Sequence, residues 1–335
     1  MSLNGCAAEA EEPSGAHPLG TLRALATADG SLSLHSSHFE EAFHSSAGAL
    51  AEANAKFVAP AELQRFDGNS QLRVLDVCVG LGYNSAALMD ALLRAGQPML
   101  HWWGLELDPR PLNLALSDEG FRKMWSSRVL NRLEALQELG CWNEVSRADA
   151  PLCQGQMLWG DARTQLKLLP QGLQFDLVLM DAFSPSRCPE LWSEEFLGTL
   201  AQRLAPAGRL LTYSRAAAIR GSLQRAGLEL RSLLPAPGQR KEWSSGTLAS
   251  RPDQDRPLPN HGPGWNPLSP MEKEHLLTRA AIPYRDPRGR DNAASIQQRR
   301  QQEQQHCELE STSSWQRRWN LLNNYQNTQQ ITPSI

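Results

Sequence analysis

An alternation between short apolar runs and helical segments constrains the fold of this 335-residue chain more than any other feature. Residues 72–79 have the composition of a buried strand, Gly80-Leu81-Gly82 predicts a tight turn, and residues 85–95 have a helical pattern. Later strand-like runs, with helical segments between them, are residues 100–107, 157–161, 175–180, 209–213 and 228–234. The pattern predicts an α/β fold with a mainly parallel twisted sheet and helices on both faces.

Polar residues stand where these predicted strands end. They are the loop 76–82, Glu106, Asp161 and Asp181. In a parallel sheet, ligands bind beyond the carboxyl ends of the strands, near the point where strand order reverses. We therefore expect these residues to line one crevice.

The glycine loop has more than one interpretation. Gly80 and Gly82 allow a ligand to approach the backbone closely, and the following helix offers free N–H groups. The loop fits a dinucleotide, an adenosylated sulfonium or a simple tight turn, and Ser85 at the third glycine position weakens the dinucleotide interpretation. Asp76 either bonds a methionine ammonium through this loop or holds the turn.

Three acidic residues in one crevice distinguish between an adenosylated sulfonium and a dinucleotide as the ligand. Glu106 is placed to accept ribose hydroxyls, although a solvent-exposed loop acid is the alternative, and Asp161 beside small residues is placed to accept from adenine N6. Such acids favour S-adenosylmethionine, which is positive at its sulfonium and ammonium, over a pyrophosphate, which they would repel.

The segment after the clearest strand predicts an acceptor site. A carboxylate at Asp181 would hold an amine near the transferred methyl and receive its proton, Phe183 would stack on an acceptor base, and Pro185 would stiffen the loop. The alternative is that this segment is only a turn.

Charge and composition exclude several classes of protein. A net charge of −3, from 33 Lys+Arg and 36 Asp+Glu, excludes a uniformly basic coat, but residues 203–241 hold eight bases and one acid. That segment predicts either an anion-binding face or a solvated helix surface. Six cysteines without a C-x-x-C pair, no signal-like start and no long apolar run predict a cytoplasmic protein away from membranes. His35, His38 and His44 lack a supporting ligand pattern, so we expect no metal.

Three regions follow from these patterns. Residues 1–60 form an N-terminal extension at the substrate entrance, and residues 61–245 form the catalytic domain. Residues 246–335 form a linker with six prolines between 250 and 270, followed by a helical tail that Trp315 and Trp319 could dock.

Several motifs together resemble the tRNA wobble-uridine methyltransferase family, which completes 5-methylaminomethyl-2-thiouridine at position 34. They are Leu75-Asp76-x-Cys78-x-Gly80-x-Gly82-Tyr83-Asn84, Gly104-x-Glu106-x-Asp108-Pro109, Gly160-Asp161-Ala162 and Asp181-Ala182-Phe183-Ser184-Pro185-x-x-x-Pro189-Glu190-Leu191-Trp192. The resemblance covers about residues 30–245 and implies a Rossmann-like class I methyltransferase. It departs from the family at Cys78, which replaces the first loop glycine, and no flavin-binding half follows, as in the family's stand-alone form.

The resemblance also implies roles for individual residues. Asp181 would be catalytic. The cofactor-binding residues would be Asp76, Gly80, Gly82, Asn84, Glu106, Asp108, Asp161 and Ala162. The substrate-binding residues would be His44, Gly48, Glu52, Phe183, Pro185, Tyr213, Arg215, Arg240 and Lys241, with the basic residues, and Arg220, meeting anticodon phosphates.

The resemblance therefore predicts N-methylation of the 5-aminomethyl group of wobble uridine, with tRNA as the partner. Three alternatives remain open at this stage: a polyamine-synthase-like aminopropyltransferase, another S-adenosylmethionine-dependent amine methyltransferase, and a non-catalytic RNA-binding module that keeps the fold. A dehydrogenase is the least favoured interpretation, since no segment suggests hydride transfer.

Overall fold

The strand–helix alternation is present in the structure, a computed structural model that describes residues 17–66, 70–95, 99–144, 153–235 and 245–329, with side chains described up to residue 320. In chain order the strands are β1 (Leu22–Ala26), β2 (Leu32–Ser36), β3 (Glu41–Ala42), β4 (Gln71–Val77), β5 (Met99–Glu106), β6 (Cys141–Glu144), β7 (Cys153–Trp159), β8 (Phe175–Met180), β9 (Leu204–Thr212), β10 (Glu229–Leu233), β11 (Gly246–Ser250) and β12 (Trp265–Pro267).

The helices connect these strands or follow them. They are α1 (Ala49–Ala53), α2 (Ala59–Ala61), α3 (Tyr83–Ala95), α4 (Arg110–Ser117), α5 (Glu119–Lys123), α6 (Ser127–Leu139), α7 (Ala162–Gln165), α8 (Glu194–Gln202), α9 (Ala217–Arg225), α10 (Pro270–His275), α11 (Ala293–His306) and α12 (Thr312–Gln329). A π-helical turn (Asn54–Val58) joins α1 to α2, and a 3-10 turn (Pro189–Trp192) precedes α8.

Among the described residues, nine strands form the main sheet, in the order β12-β10-β11-β9-β8-β4-β5-β7-β6. The five central strands, from β9 to β7, are parallel, whereas β6, β11, β10 and β12 pair antiparallel with their neighbours. The chain runs outward from β4 through β5 to β7 and then returns to β8 on the other side of β4. The strand order therefore reverses between β4 and β8, which is where such sheets bind ligands.

Helices cover both faces of the sheet because apolar side chains alternate along the strands. Leu72 and Val74 of β4 pack on one face in the same core cluster as Leu88 of α3. Leu75 and Val77 pack on the opposite face in the cluster that includes helices α8, α9 and α11. The predicted α/β fold with a mainly parallel sheet is confirmed.

The N-terminal segment folds over the glycine loop. Strands β1, β2 and β3 form a separate antiparallel sheet, in which β3 is short. The backbone N–H of Leu32 donates to the hydroxyl of Tyr83, at 3.0 Å, at the start of α3. This bond ties the small sheet to the carboxyl edge of the large one.

The main sheet extends further along the chain than the sequence predicts. Residues 228–234 were expected to form the last strand, but β11 lies between β9 and β10 and is antiparallel to both. The expected domain end at residue 245 therefore falls inside the sheet. Gly246 suits this central position, because an added Cβ would lie 2.3 Å from the carbonyl oxygen of Thr212.

The C-terminal segment packs against the core. Glu194, at the start of α8, donates its backbone N–H to the carbonyl of Tyr284 at 2.8 Å. Ile296 of α11 and Trp315 of α12 are 0% and 1% exposed. The predicted helical tail is thus present, and α11 lies beside the turn before α8.

Candidate active site

A cavity of about 480 Å³ lies at the carboxyl ends of the parallel strands. Its wall comes from the loops after β4, β5, β7 and β8 and from the N-terminal segment. Glu106, Asp161 and Asp181 all line it. The structure therefore brings the three acids predicted from the strand ends into one site.

The predicted site residues divide into three groups. Those on the cavity wall are His44, Glu52, Gly80, Glu106, Asp108, Asp161, Ala162, Asp181, Phe183 and Tyr213. Within the described part of the chain, those that the wall does not include are Gly48, Asp76, Gly82, Asn84, Pro185 and Arg215. Arg240 and Lys241 lie outside the described residues.

The loop after β4 turns through three residues in the left-handed region. The φ angles are +68° at Cys78, +56° at Gly80 and +87° at Gly82. Cys78 and Gly80 line the cavity, so the loop backbone lies beside it. At Gly82 an added Cβ would lie 3.1 Å from Cδ1 of Leu112. This glycine therefore allows α4 to pack closely on the loop instead of meeting a ligand.

The buried side chain of Asp76 holds the turn after β4 in place. Its side chain is 0% exposed, its Oδ2 accepts from Oγ of Ser85 at 2.5 Å, and its Oδ1 is buried with no partner among the described residues. Burial raises the pKa of Asp76 to about 7, and the charges of Asp181 and Glu106 add to the rise. The structure favours the turn-holding role over contact with a ligand.

Glu106 is held by backbone donors at the end of β5. Its Oε2 accepts from the N–H of Gly80 at 2.8 Å, and its Oε1 accepts from Leu107 at 2.6 Å and Asp108 at 2.9 Å. Burial raises the pKa of Glu106, and these three bonds oppose the rise. A carboxylate has about four acceptor positions, so one remains for a ligand hydroxyl.

Asp161 begins α7 on the cavity wall. It caps the helix by accepting from the backbone N–H of Arg163 at 2.9 Å, and its Oδ2 accepts from Nη2 of the same arginine at 2.7 Å. The Asp161 side chain is still 41% exposed. Its carboxylate therefore keeps room for a further donor.

Asp181 lies at the end of β8 opposite the start of α3. Asn84 donates from Nδ2 to Oδ2 of Asp181 at 2.6 Å. Burial raises the pKa of Asp181 to about 6, while the bond from Asn84 and the charge of Lys56 oppose the rise. Asn84 was predicted to bind the cofactor, but in the structure its amide orients Asp181.

Aromatic rings form the wall beside Asp181. Phe183 stacks on Phe39 with ring centroids 4.4 Å apart, and Phe43 meets Phe183 edge-on at 4.8 Å. Tyr213 donates its hydroxyl to the carbonyl of Ala182 at 2.9 Å, which fixes the loop after β8. Phe39 and Phe43 were not among the predicted site residues, although both lie within five positions of His44, which was.

A charged pair from the N-terminal segment also reaches the cavity. Glu52 pairs with Lys56 at 3.1 Å and accepts from Oγ of Ser45 at 2.6 Å. Although burial raises the pKa of Glu52, Lys56 and Ser45 bring it below its usual value. Burial lowers the pKa of His44 to about 4, so its ring is neutral near pH 7. Lys56 was not among the predicted site residues, although its spacing of four from Glu52 indicates such a pair.

Gly48 and Pro185 support the site from outside the wall. At Gly48, with φ +129°, an added Cβ would lie 1.9 Å from Cγ of Asp29. Ser184, next to Pro185, donates from its backbone N–H and its Oγ to Oε2 of Glu41, at 3.0 and 2.7 Å. The loop after β8 is thereby anchored to the N-terminal segment.

Most of the arginines that the structure describes in the basic segment 203–241 are paired with carboxylates. Four of its arginines pair with glutamates, namely Arg209 with Glu62, Arg220 with Glu272, Arg225 with Glu194 and Arg231 with Glu229. Arg220 is only 2% exposed, so the expectation that it meets phosphates is wrong. Arg215 is exposed, and it lines a second cavity that shares Tyr213 with the first.

Comparisons with known proteins relate the chain to methyltransferases. A model of an S-adenosyl-L-methionine-dependent methyltransferase family matches residues 143–249, about a third of the chain. The crystal structure of MnmC2 from Aquifex aeolicus superimposes with a TM-score of 0.69 at 26% identity, covering 88% of this chain and 87% of that one. The chain is therefore similar to the MnmC methyltransferases in sequence and in fold.

Two relatives in sequence show how much of this chain, and of each relative, the similarity covers. An uncharacterized protein of Methanocaldococcus jannaschii is 29% identical over 262 residues, covering 78% of this chain and 66% of that protein. The tRNA 5-methylaminomethyl-2-thiouridine biosynthesis bifunctional protein MnmC of Azoarcus sp. is 29% identical over 233 residues, covering 67% of this chain and 35% of that protein. The chain thus spans about a third of the length of this bifunctional relative.

The predicted cofactor, S-adenosylmethionine, is that of the family, and the cavity fits it. The fit rests on chemistry, because Glu106, Asp161 and Asp181 present three carboxylates to a ligand that carries a sulfonium and an ammonium. The loop with Cys78 and Gly80 in left-handed conformations also presents backbone directly to the cavity. In the described residues, no helix has the length and apolar character needed to cross a bilayer.

Proposed function

We propose that the chain methylates the 5-aminomethyl group of (2-thio)uridine at the wobble position of tRNA, giving the 5-methylaminomethyl nucleoside. The observation that carries this proposal is Asp181, a half-buried carboxylate that lines the same cavity as the acids expected to hold the cofactor and the ring of Phe183, which stacks on Phe39. An amine attached to a flat base needs both a carboxylate and an aromatic surface.

The cofactor would be held by residues that the structure already orients. Glu106 has one open acceptor position for a ribose hydroxyl, and Asp161 has an exposed carboxylate for the adenine amino group. Cys78 and Gly80 would place their backbone along the methionine portion. When bound, S-adenosylmethionine supplies an electrophilic methyl carbon on its sulfonium.

Asp181 would orient the attacking amine and accept its proton. The amine must be neutral to attack, because its lone pair forms the new N–C bond while the C–S bond breaks. Nitrogen then carries an extra proton, which Asp181 can take directly or through water. The cation of Lys56, on the same cavity wall, favours the neutral form of a nearby amine.

The aromatic wall would select the base. Phe183 stacked on Phe39, with Phe43 edge-on, offers a flat apolar surface to a uracil ring that leaves the anticodon stack. His44 is neutral near pH 7 and adds no charge that would repel the amine. Arg215 would contact the tRNA backbone, as would Arg240 and Lys241, in the cytoplasm where tRNA is modified.

The test uses the purified chain, labelled S-adenosylmethionine and two otherwise matched tRNAs, one with 5-aminomethyl-(2-thio)uridine and one with unmodified uridine at position 34. We expect one methyl group per aminomethyl-bearing tRNA and none on the other, as measured by mass spectrometry of the nucleosides. Cofactor binding without transfer to the aminomethyl tRNA would contradict the proposal. Turnover of putrescine with decarboxylated cofactor would instead indicate aminopropyl transfer.

A further inference from the structure

Arg163 joins the cofactor cavity to the C-terminal segment. On one side, Nη2 donates to Oδ2 of Asp161 at 2.7 Å, and Nε lies 3.1 Å from Oδ1 of the same carboxylate. On the other side, Nη1 donates to Oδ2 of Asp286 at 2.6 Å and to the carbonyl of Asp291 at 2.9 Å. One planar guanidinium therefore fixes two carboxylates that are 125 residues apart in sequence (286 − 161).

Asp286 is itself held in place. Its side chain is 0% exposed, and its Oδ1 accepts from the backbone N–H groups of Arg290 and Asp291, both at 3.1 Å. Its own N–H donates to Oε2 of Glu195 in α8 at 2.7 Å. A buried carboxylate is costly unless it is paired, so Asp286 has a strong requirement for Arg163.

These contacts indicate that the C-terminal segment orients Asp161 through Arg163. An unrestrained arginine side chain samples many rotamers, and a carboxylate at a helix start can rotate about its own side-chain bonds. With Nη1 fixed by Asp286, the remaining donors of Arg163 face Asp161 in one orientation. Ligands bind more tightly to groups that are oriented before binding, and partners behind the contacting residues supply that orientation.

We propose that Asp286 is a positioning residue for the adenine end of the cofactor, acting through Arg163 on Asp161. The C-terminal segment is then part of the cofactor site although it does not touch the ligand. The inference rests on the proposed function only in placing the adenine amino group beside Asp161.

The experiment measures adenine recognition without tRNA. Calorimetry on the full chain compares S-adenosylhomocysteine with S-inosylhomocysteine, in which a carbonyl replaces the amino group of adenine. We expect the wild type to prefer the adenosyl ligand about tenfold or more, because the inosyl ligand leaves a carboxylate acceptor without its donor. In Asp286→Ala the preference should fall to about threefold or less, with the affinity for the inosyl ligand nearly unchanged.

Three variants separate positioning from simple stabilisation. Asp161→Ala should lose the preference to the same extent as Asp286→Ala. Arg299→Gln is the matched control, because it removes a 2.7 Å ion pair with Asp291 in the same segment while Asp286 and Arg163 keep their bond. This control should keep the preference. Arg163→Lys retains the charge but not the planar fork, so it should lose most of the preference even if Asp286→Ala does not fold.

Other results would overturn the inference. It fails if Asp286→Ala weakens both ligands equally, if Arg299→Gln loses the preference as well, or if Arg163→Lys keeps it in full. Because no acceptor RNA is present, a failure of tRNA methylation leaves this result untouched, and loss of the inference leaves the methylation assay untouched.

Discussion

Asn84 and Asp181 are joined by a hydrogen bond of 2.6 Å from Nδ2 to Oδ2, although they lie 97 positions apart in sequence. Asn84 stands in the first turn of α3, and Asp181 directly follows β8. The bond therefore links the glycine-loop helix to the acceptor loop across the point where the strand order reverses. It fixes one carboxylate oxygen and leaves the other available to an amine.

The first prediction concerns the charge of Asp181. Asp181→Asn retains an acceptor for Asn84 but loses the negative charge, so the methyl-transfer rate at saturating cofactor should fall by about 10²- to 10⁴-fold. Single-turnover assays with aminomethyl-bearing tRNA measure this rate. Affinity for S-adenosylhomocysteine should change little, because Glu106 and Asp161 remain.

The matched control for this prediction is Asp90→Asn. Asp90 is a carboxylate within α3, and it pairs with Arg94 one turn further along the same helix. Such surface pairs contribute about 0–1 kcal/mol to stability, so the transfer rate should stay at the wild-type value. If both variants lost the same activity, the effect would be one on folding and not on the amine.

The second prediction is a pH dependence that follows from the pKa of Asp181. Because burial raises this pKa to about 6, the carboxylate form grows as pH rises through that value, and kcat/KM should rise between about pH 5 and 7. Asn84→Ala removes a bond that favours the charged form, so the midpoint should move upward. Burial lowers the pKa of His44 to about 4, so its titration lies below this range.

Rate profiles of wild type, Asn84→Ala and Asp181→Asn provide the measurement. In Asp181→Asn the limb near pH 6 should disappear, leaving only the rise from deprotonation of the substrate amine. A limb that persists in Asp181→Asn would assign it to another group.

The sequence predicted the three acids of the cavity for a geometric reason. Glu106, Asp161 and Asp181 each stand at or just after the carboxyl end of a strand, and parallel strands bring such ends to one edge. Strand periodicity therefore suffices to locate them. It also accounts for the correct placement of helices on both faces.

Side-chain partners that are distant in sequence were not predictable in this way. The bond from Arg163 to Asp286 spans 123 positions, and the charge pattern of residues 203–241 does not reveal that Glu62 and Glu272 neutralise two of its arginines. Strand β11 was missed for a different reason. It is a five-residue run of Gly246–Ser250 with one large apolar side chain, so its composition does not distinguish a strand from a loop.

The third prediction concerns stability and Asp76. The pKa of Asp76 is about 7 in the folded chain because of burial, against an ordinary value of 3.8. Between these values the folded chain binds one proton more than the unfolded chain, so the free energy of unfolding should fall as pH rises from about 4 to 7 and then level off. A difference of three pKa units corresponds to roughly 4 kcal/mol.

Asp76→Asn removes this titration while keeping an acceptor for Ser85. Urea unfolding should therefore show the variant gaining stability relative to the wild type between pH 5 and pH 8. Cofactor affinity should change little, because Asp76 does not line the cavity wall in the described structure. A large loss of affinity with unchanged pH dependence would return Asp76 to the role of a cofactor ligand.

The fourth prediction concerns two of the three left-handed residues of the glycine loop, at which substitutions should change stability in opposite directions. Cys78 has φ +68° although it carries a Cβ, and such a conformation costs a non-glycine residue about 1–3 kcal/mol. Cys78→Gly should therefore raise the free energy of unfolding by about 1 kcal/mol, after the loss of side-chain packing and the entropy of glycine are included. Gly80→Ala should lower it by at least as much, because φ is +56° and the new Cβ would lie 3.3 Å from Cδ1 of Phe43. Denaturant titrations of both variants at one pH measure the pair, and a stabilising Gly80→Ala would show that the loop can relax to another conformation.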